Sequence, residues 1–351
     1  MSNRTLRIGI HGFGRIGRSV FRIIHERGTA DVVAINDINP DTDNIAYLLR
    51  HDSIHGRFRG HLAVDGEALI VDGHRIAVTH LPHMTDVAWQ ALGVDVLIDA
   101  TSSKASILSA DAQSDVAEFY VKTHAVYGAD DINTLIFGIN ENNFDPSIHK
   151  RISTSICDAV ALCPLVMLLE KAYGVKSGFL TTLHPWLADQ QLMDVNANPE
   201  HLADDLQSHY ALGRSAINNL IPKSTSALRA AAVLLPGIDD RLASLSYRVP
   251  TNIVSSAVLQ LTLGAPATRA AIIDVFRQAE ARQRWPIVTS SVEPRVSLDY
   301  AGSPFSVAID ERWTTLQNKC DLRLMYWYDN EWGYSSRVVD AIDLIAQGRP
   351  H

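Results

Sequence analysis

The sequence predicts an α/β fold in which a doubly wound parallel sheet is followed by an α+β domain with a mainly antiparallel sheet. Near the start of the chain, a short apolar run, Leu6–Ile10, leads through a glycine-rich turn to Ser19–His25, whose apolar residues have helical spacing. Two more short apolar runs, Val32–Ile35 and Val94–Ile98, follow. Strands that alternate with helices are typical of a parallel sheet. Beyond residue 157 the strand-like runs become longer, which indicates a second domain of another class.

The elements of the second domain follow from periodicity. Ala159–Ala172 carries apolar residues on a shared helical face, and the tail segment Ser335–Gln347 does the same before it stops at Gly348–Pro350. Four runs between them alternate or are β-rich, which favours antiparallel pairing. These runs are Ser177–Leu183, Leu242–Val249, Val258–Leu263 and Arg323–Tyr328. We therefore expect domains over residues 1–156 and 157–333, with a terminal helix within residues 334–351.

Composition limits the classes of function. The chain has 351 residues, of which 46% are hydrophobic and 20% charged, as in a globular protein of about two domains. The formal net charge of −8 argues against nucleic-acid or membrane-surface binding, since phosphate backbones and anionic lipids attract basic surfaces. No stretch reaches the roughly 18 apolar residues of a membrane span, so we expect a cytoplasmic protein. Three cysteines, Cys157, Cys163 and Cys320, are too few for a disulfide framework, which leaves a free thiol as a candidate for chemistry.

The glycine-rich turn has the spacing of a dinucleotide site. Gly12-Phe13-Gly14-Arg15-Ile16-Gly17 matches G-x-G-x-x-G between a strand and a helix, where glycines allow close approach of a pyrophosphate to free N–H groups. Asp37 lies about 20 residues further on, at the end of the next strand, where a carboxylate accepts hydrogen bonds from ribose hydroxyls. The pattern predicts a Rossmann-type site, and the charge of Asp37 favours NAD over NADP because it would repel a 2′-phosphate.

A cysteine and a histidine are candidates for a nucleophile and its base. Cys157 precedes the predicted helix, where the helix dipole and free amides favour a thiolate. His184 follows the strand Ser177–Leu183 and could supply a positive partner that lowers the pKa of the thiol. Lone buried cysteines and histidines are also common for structural reasons, so spacing alone does not pair these two residues.

Three stretches resemble signature segments of the glyceraldehyde-3-phosphate dehydrogenase family. They are Gly9–Arg18, Leu48–Phe58 and Trp327–Ser335. Asn218–Ala230 and Arg248–Thr251 also match, so the resemblance covers nearly the whole chain in order. The chain is therefore similar to NAD-dependent enzymes that oxidise an aldehyde through a cysteine.

The resemblance implies roles for individual residues. Cys157 falls on the family's nucleophile, His184 on its general base and Asn330 on the residue that contacts the nicotinamide amide. A thiohemiacetal at Cys157 would pass hydride to the nicotinamide and leave a thioester, with the Cys157 N–H and His184 as donors to the oxyanion. The other cofactor positions that the resemblance implies are Gly12, Phe13, Gly14, Arg15, Ile16, Gly17, Asp37, Thr101, Thr123 and Tyr334.

The resemblance also implies an organisation. Residues 1–156 would bind NAD, residues 157–333 would bind a small aldehyde and carry the chemistry, and the helix of residues 334–351 would pack back on the NAD-binding domain. The family is typically a homotetramer, in which the loop after the catalytic histidine, here Pro185 to about Arg214, packs across subunits. Neither nucleic acid nor a membrane is expected as a partner.

The residues beside the nucleophile depart from the family pattern. The family usually has Ser-Cys-Thr-Thr-Asn, whose hydroxyls help to hold phosphate, whereas this chain has Ile156-Cys157-Asp158-Ala159-Val160. A phosphate dianion would meet the Asp158 carboxylate, which predicts weak use of inorganic phosphate as acyl acceptor. The same carboxylate could orient or deprotonate a water that hydrolyses the thioester. An acidic residue also suits the first turn of any helix, so both interpretations of Asp158 stay open.

Some of the residues that bind the substrate's phosphate in the family are replaced in this chain. Leu187 replaces a threonine that binds this phosphate in the family, and Ala211-Leu212 stand where paired arginines are common. Thr225 and Arg248 remain, and Ser226 replaces a glycine. The substrate positions expected from the resemblance are Asp158, Thr225, Ser226 and Arg248.

Three functions are compatible with these observations. The leading one is NAD-dependent oxidation of glyceraldehyde 3-phosphate or a related small polar aldehyde. The alternatives are a non-phosphorylating dehydrogenase of a different aldehyde with hydrolytic release, and a dinucleotide-binding regulatory protein of low activity, against which intact Cys157, His184 and Asn330 argue. No metal site is expected, because His51 and His55 are spaced for one but no third ligand cluster is visible.

Overall fold

Two large sheets organise the chain, one in each of two units. The computed structural model describes residues 5–101, 116–128, 131–188, 190–196 and 210–348. Unit 1 comprises Met1–Ile156 and Tyr334–His351, and unit 2 comprises Cys157–Gly333. None of the helices in these described ranges is both long and apolar enough to cross a membrane.

Unit 1 is built on a nine-stranded sheet with helices beside it. Its strands are β1 (Leu6–His11), β2 (Ala30–Asn36), β3 (His51–Asp52), β4 (Gly56–Arg57), β5 (Leu62–Val64), β6 (Ala68–Val71), β7 (His74–Thr79), β8 (Val96–Asp99), β9 (Phe119–Lys122), β10 (Asn133–Thr134) and β11 (Arg151–Ser153). Its first two helices are α1 (Arg15–Arg27) and α2 (Thr42–Arg50), and short 3-10 turns lie at Met84–Asp86 and Glu141–Asn143.

The strand order of this sheet is β10-β11-β9-β8-β1-β2-β7-β6-β5, with β3 and β4 paired separately. Strand β1 pairs in parallel with β2 on one side and β8 on the other, so the winding reverses beside β1. Ile8 and Ile10 on β1 are fully buried, as expected for a parallel strand covered on both faces. Ligands of such sheets bind at the carboxyl ends of the strands beside this reversal.

One edge of the sheet differs from the predicted all-parallel winding. Strands β5, β6 and β7 pair antiparallel to one another. The turn between β6 and β7 consists of Asp72 and Gly73, which both have positive φ, at 48° and 84°. Two residues with positive φ make the tight hairpin turn for which Asp-Gly is favoured, and this turn folds the chain back on itself.

Unit 2 combines a mostly antiparallel sheet with helices. Its strands are β12 (Val175–Pro185), β13 (Ile221–Lys223), β14 (Leu242–Val249), β15 (Ser255–Leu263), β16 (Val288–Ser291), β17 (Val307–Asp310), β18 (Thr315–Gln317) and β19 (Asp321–Tyr328). Its helices are α3 (Cys157–Tyr173), α4 (Ala227–Ala232), α5 (Ile238–Arg241) and α6 (Arg269–Arg282), with 3-10 turns at Ser297–Tyr300 and Glu311–Trp313. The order is β13-β14-β12-β15-β19-β17-β16, and β18 pairs with β19. The predicted fold class is confirmed, although two strand pairs, β12 with β14 and β16 with β17, are parallel.

Helix α3 positions the candidate nucleophile. It begins at Cys157, where the sequence predicts a helix start. Periodicity predicts a single apolar face, but the residues from Asp158 to Val166 are all buried, because the helix is covered on every side. Cys157 itself remains partly exposed at the first turn.

The last helix, α7 (Trp332–Gly348), starts at a polar cap and continues in unit 1. The Asp329 carboxylate accepts hydrogen bonds from the backbone N–H groups of Glu331 and Trp332, at 2.9 and 2.8 Å. Within unit 1, Asp340 on this helix pairs with Arg27 of α1 at 2.6 Å. The helix is therefore tied to the first helix of the chain by an ion pair whose carboxylate is buried.

Candidate active site

The carboxyl ends of four neighbouring strands of unit 1 hold the predicted cofactor residues. Gly12, Asp37 and Thr101 follow β1, β2 and β8, and Thr123 follows β9. Gly12 has a φ of +87°, and a Cβ there would lie 2.8 Å from the Thr101 methyl group. A Cβ at Gly17 would lie 2.1 Å from the Gly12 carbonyl oxygen. Both glycines are therefore required by close backbone approach, as in a pyrophosphate-binding turn.

The remaining positions of the turn leave room for an anion. A Cβ at Gly14 would meet no described atom within 4 Å. Helix α1 begins at Arg15, and its N-cap residue, Gly14, makes no side-chain capping hydrogen bond. A guanidinium nitrogen of Arg15 lies 2.6 Å from Asp52, which holds this charge beside the turn. Ile16 is partly exposed in the same turn. These features fit the phosphates of a dinucleotide.

The Asp37 side chain is held in place by hydrogen bonds, one of them from the glycine turn. Its carboxylate accepts hydrogen bonds from the N–H of Phe13, at 2.7 Å, and from the N–H of Asn39, at 2.9 Å. Each carboxylate oxygen retains a further lone pair for a ribose hydroxyl. Asp37 thus lies at the glycine turn, as the motif predicts.

The two threonines share one buried carboxylate residue. Thr101 donates from its N–H and its hydroxyl to Asp99, at 3.1 and 2.7 Å, and the Thr123 hydroxyl donates to the Asp99 carbonyl at 3.0 Å. Tyr334, also in unit 1, contacts the Thr154 hydroxyl at 2.9 Å and donates to the Ser155 carbonyl at 3.1 Å. Thr101 therefore borders the glycine turn, Thr123 lies one strand further along the same sheet edge, and the Tyr334 hydroxyl is engaged with the backbone near the end of β11.

Four polar residues near the candidate nucleophile of unit 2 lie in one row across its sheet. His184 on β12 is opposite Arg248 on β14, and Ser255 on β15 is opposite Tyr328 on β19. Leu183 is opposite Ser256, so the two pairs are adjacent in the sheet. All four side chains of the row are buried. Asn330 lies just beyond, where its amide oxygen is 3.5 Å from the Ser255 hydroxyl.

The Cys157 thiol lies between a base and a carboxylate. Its Sγ is 3.8 Å from His184 Nε2 and donates to Asp158 Oδ1 at 3.7 Å. His184 Nδ1 lies 2.8 Å from the Pro185 carbonyl, an acceptor only, so Nδ1 carries a proton and Nε2 faces the thiol as an acceptor. The geometry brings the two predicted residues together, and it supplies the thiol with two neighbouring proton acceptors.

His184 is not the positive partner that the sequence interpretation proposed. Burial, and then the charge of Arg248, lower the pKa of His184 to about 4, although Asp158 acts in the opposite direction. The imidazole is therefore neutral near pH 7, which suits a general base. Arg248 is the cation that acts on the thiol.

The resting form of Cys157 is the thiol. Burial, followed by the negative charge of Asp158, raises the pKa of Cys157 well above its usual value, and Arg248 offsets only part of this effect. The helix start predicted a thiolate, but burial and the negative charge of the adjacent carboxylate both favour the protonated sulfur. The proton must therefore leave as the sulfur attacks its substrate.

Asp158 is directed inward, and the sequence reasoning missed its main partner. Tyr328 donates its hydroxyl proton to Asp158 Oδ1 at 2.6 Å, and Thr225 donates to Oδ2 at 3.2 Å. Asp158 is only 9% exposed. The alternating burial of β19 was a usable signal, because it puts Tyr328 on the same inward face as Leu322 and Leu324.

Arg248 is a candidate anion-binding group whose charge acts on this cluster. It is 8% exposed, and its Nε has no hydrogen-bond partner among the residues that the structure describes. A buried donor without an acceptor is costly, so an anionic ligand would be stabilised there. Thr225 joins the cluster through its hydrogen bond to Asp158. Ser226, by contrast, is exposed, and its side chain makes no capping hydrogen bond to α4.

Comparisons with known proteins agree with this geometry. The family model described as glyceraldehyde 3-phosphate dehydrogenase, NAD binding domain, matches residues 6–106, and the model of the C-terminal domain matches residues 156–330. A glyceraldehyde-3-phosphate dehydrogenase of Kitasatospora aureofaciens is 36% identical over 97% of this chain and 99% of its own length. Glyceraldehyde-3-phosphate dehydrogenase 1 of Bacillus subtilis is 33% identical over 98% of this chain and 99% of its own length. Glyceraldehyde-3-phosphate dehydrogenase 3 of Kluyveromyces marxianus is 34% identical over 97% of this chain and 99% of its own length.

Proposed function

This chain belongs to the glyceraldehyde-3-phosphate dehydrogenase family, and on that premise we propose that it oxidises glyceraldehyde 3-phosphate or a related small polar aldehyde. It is an NAD-dependent oxidoreductase, as the sequence predicted. We assign NAD binding to unit 1 and aldehyde chemistry to unit 2. The observation that carries the proposal is the Cys157 thiol, 3.8 Å from the acceptor nitrogen of a neutral His184.

The proposed chemistry uses His184 twice. As Sγ of Cys157 attacks the carbonyl carbon, the thiol proton passes through His184 Nε2 to the carbonyl oxygen, which gives a neutral thiohemiacetal. His184 then removes the hydroxyl proton while the carbon loses hydride and becomes a thioester. When bound, NAD is the acceptor of that hydride. The N–H of Cys157, at the start of α3, supports the oxygen while it carries charge.

Arg248, whose Nε finds no acceptor in the described part of the chain, predicts a preference for anionic aldehydes. We expect kcat/KM for glyceraldehyde 3-phosphate to exceed that for glyceraldehyde, and Arg248→Gln to reduce this ratio by roughly 10–100-fold, since a hydrogen bond to a charged group contributes about 1.5–3 kcal/mol. Initial rates of NADH formation measure both substrates. Thr262→Ala, a change at the far end of β15, serves as control and should keep the ratio. A ratio that Arg248→Gln leaves unchanged would refute the assignment of Arg248 to the substrate anion.

We further propose that the chain assembles as a homotetramer. Support comes from the face of the unit 2 sheet opposite His184, where Phe179, Leu183 and Leu245 are 63%, 40% and 39% exposed. Phe179 and Leu183 alternate with the buried Leu180 and His184 along β12, so these apolar groups share one face. An exposed apolar sheet face of this kind is typical of a protein–protein interface.

If the chain forms a tetramer through this face, a charged substitution in the face should lower the mass of the assembly. Phe179→Asp should place a charge in the interface and shift sedimentation velocity from a tetramer to smaller species. Ile148→Asp, at a site that is 70% exposed in unit 1, is the matched control and should leave the tetramer intact. A wild-type protein that sediments as a monomer would contradict the proposal.

We also propose that the protein acts in the cytoplasm. All three cysteines are free, which suits a reducing compartment. Cell fractionation with an antibody to the chain would test this location.

A further inference from the structure

The thiol, carboxylate and imidazole of unit 2 form a cluster with the spacing of metal ligands. Cys157 Sγ lies 3.7 Å from Asp158 Oδ1 and 3.8 Å from His184 Nε2, and the three ligand atoms all lie within 4.8 Å of one another. In a tetrahedral zinc site, bonds of about 2.3 Å to sulfur and 2.0–2.2 Å to nitrogen or oxygen separate the ligand atoms by about 3.4–3.6 Å. Small side-chain rotations would therefore close the cluster around one ion.

We infer that Cys157, Asp158 and His184 bind a zinc ion, Zn²⁺, that blocks the nucleophile and competes with the aldehyde. Three protein ligands leave the fourth tetrahedral position to water. A thiolate and an imidazole select zinc over magnesium or calcium, which prefer oxygen ligands. Asp158 makes this inference specific to the chain, because the threonine that the family usually has there offers no carboxylate.

The surroundings of the cluster already hold its ligands in place. His184 Nδ1 donates to the Pro185 carbonyl at 2.8 Å, which leaves Nε2 free to coordinate. The Tyr328 hydroxyl donates to the Asp158 carboxylate at 2.6 Å, and the Thr225 hydroxyl does so at 3.2 Å. Hydrogen bonds of this kind fix metal-binding histidines and carboxylates in known sites.

Charge is balanced at the site once the ion is bound. As zinc binds, the Cys157 thiol loses its proton to solvent. The resulting thiolate and the Asp158 carboxylate together neutralise the divalent ion, while His184 is neutral. Arg248 is the nearby cation that acts on both Cys157 and His184, and Lys223 also acts on His184. A zinc ion with two anionic ligands has no net charge, so Arg248 and Lys223 would repel it less than a zinc ion with only one anionic ligand.

Metal binding to the full chain, without NAD or aldehyde, tests the inference. Equilibrium dialysis with Zn²⁺ should give one ion per chain, and Co²⁺ should give the visible bands of a tetrahedral site together with a thiolate charge-transfer band. Iodoacetamide labelling of Cys157 should slow in parallel with zinc binding. Asp158→Asn preserves shape and should weaken binding by at least roughly 100-fold, whereas Tyr328→Phe, which removes only a support of the carboxylate, should weaken it by roughly 10–100-fold.

Controls separate this site from other thiols and from the proposed enzyme function. Cys163→Ser and Cys320→Ser should bind zinc as the wild type does. Binding that is unchanged in Asp158→Asn and Tyr328→Phe would overturn the inference, and so would the absence of stoichiometric binding in the wild type. Because the assay contains no substrate, failure to bind zinc would leave the proposed dehydrogenase activity untouched, and inactivity towards aldehydes would leave the zinc result untouched.

Discussion

Cys157→Ser is expected to reduce NADH formation below detection, because a serine hydroxyl beside a neutral imidazole is a far weaker nucleophile than the thiol. His184→Asn should lower the rate by roughly 10²–10⁴-fold, since it removes the acceptor for both protons of the oxidation. Steady-state assays with NAD and glyceraldehyde 3-phosphate measure both effects. Both losses depend on the same contact, the 3.8 Å between Cys157 Sγ and His184 Nε2.

The other cysteines serve as controls for this result. Cys163 is fully buried, which raises the pKa of its thiol to about 12, so it is unreactive in the folded protein. Cys320 is a free cysteine that immediately precedes β19, and it is not in the row formed by His184, Arg248, Ser255 and Tyr328. Serine at either position should keep most of the activity and the labelling of the Cys157 peptide by iodoacetamide. Full activity in Cys157→Ser would refute the mechanism.

The second large effect concerns the acyl acceptor, and it depends on the position of Asp158. Its carboxylate is buried in contact with the thiol, where a phosphate dianion would have to approach the thioester. At an effective dielectric near 20, a charge product of two at about 5 Å costs several kcal/mol, enough to reduce phosphate use by orders of magnitude. We propose that Arg248, which would offset part of this repulsion, is occupied by the anionic group of the substrate.

We therefore expect turnover in the wild type to depend only weakly on inorganic phosphate, with water as the principal acceptor. Asp158→Thr should create a saturable phosphate requirement, because it removes the charge and adds a hydroxyl. Asp158→Asn is the matched variant that removes only the charge, and it should slow release of the acid. Rates of NADH formation across a series of phosphate concentrations decide the question. A strict, saturable phosphate requirement in the wild type would show that Asp158 neither excludes phosphate nor activates water.

Local sequence rules predicted the parts of the structure that depend on backbone geometry. The glycine turn was predictable because Gly12 and Gly17 lie where any side chain would clash with the backbone. The start of α3 at Cys157 followed from a change of hydrophobic period. The antiparallel edge was missed, although Asp72-Gly73 is a favourable hairpin turn, because its flanking runs are short and irregular.

Charge states and long-range partners were beyond the reach of the sequence. Tyr328 and Asp158 are 170 residues apart, and only the sheet register brings the hydroxyl to the carboxylate. The pKa of Cys157 and that of His184 depend on burial and on Arg248, which a linear pattern does not reveal. The family resemblance supplied the identity of both residues, but the resting thiol required the three-dimensional arrangement.

The most direct test of cysteine-based oxidation is a rapid-quench experiment on the full chain with NAD and glyceraldehyde 3-phosphate. Acid quenching within the first turnover, followed by peptide mass spectrometry, should find an acyl group on Cys157 that forms together with the first equivalent of NADH. The adduct should be absent in Cys157→Ser and should form normally in Cys320→Ser. An NADH burst with no acyl group on the Cys157 peptide, or with the acyl group on another residue, would contradict the account.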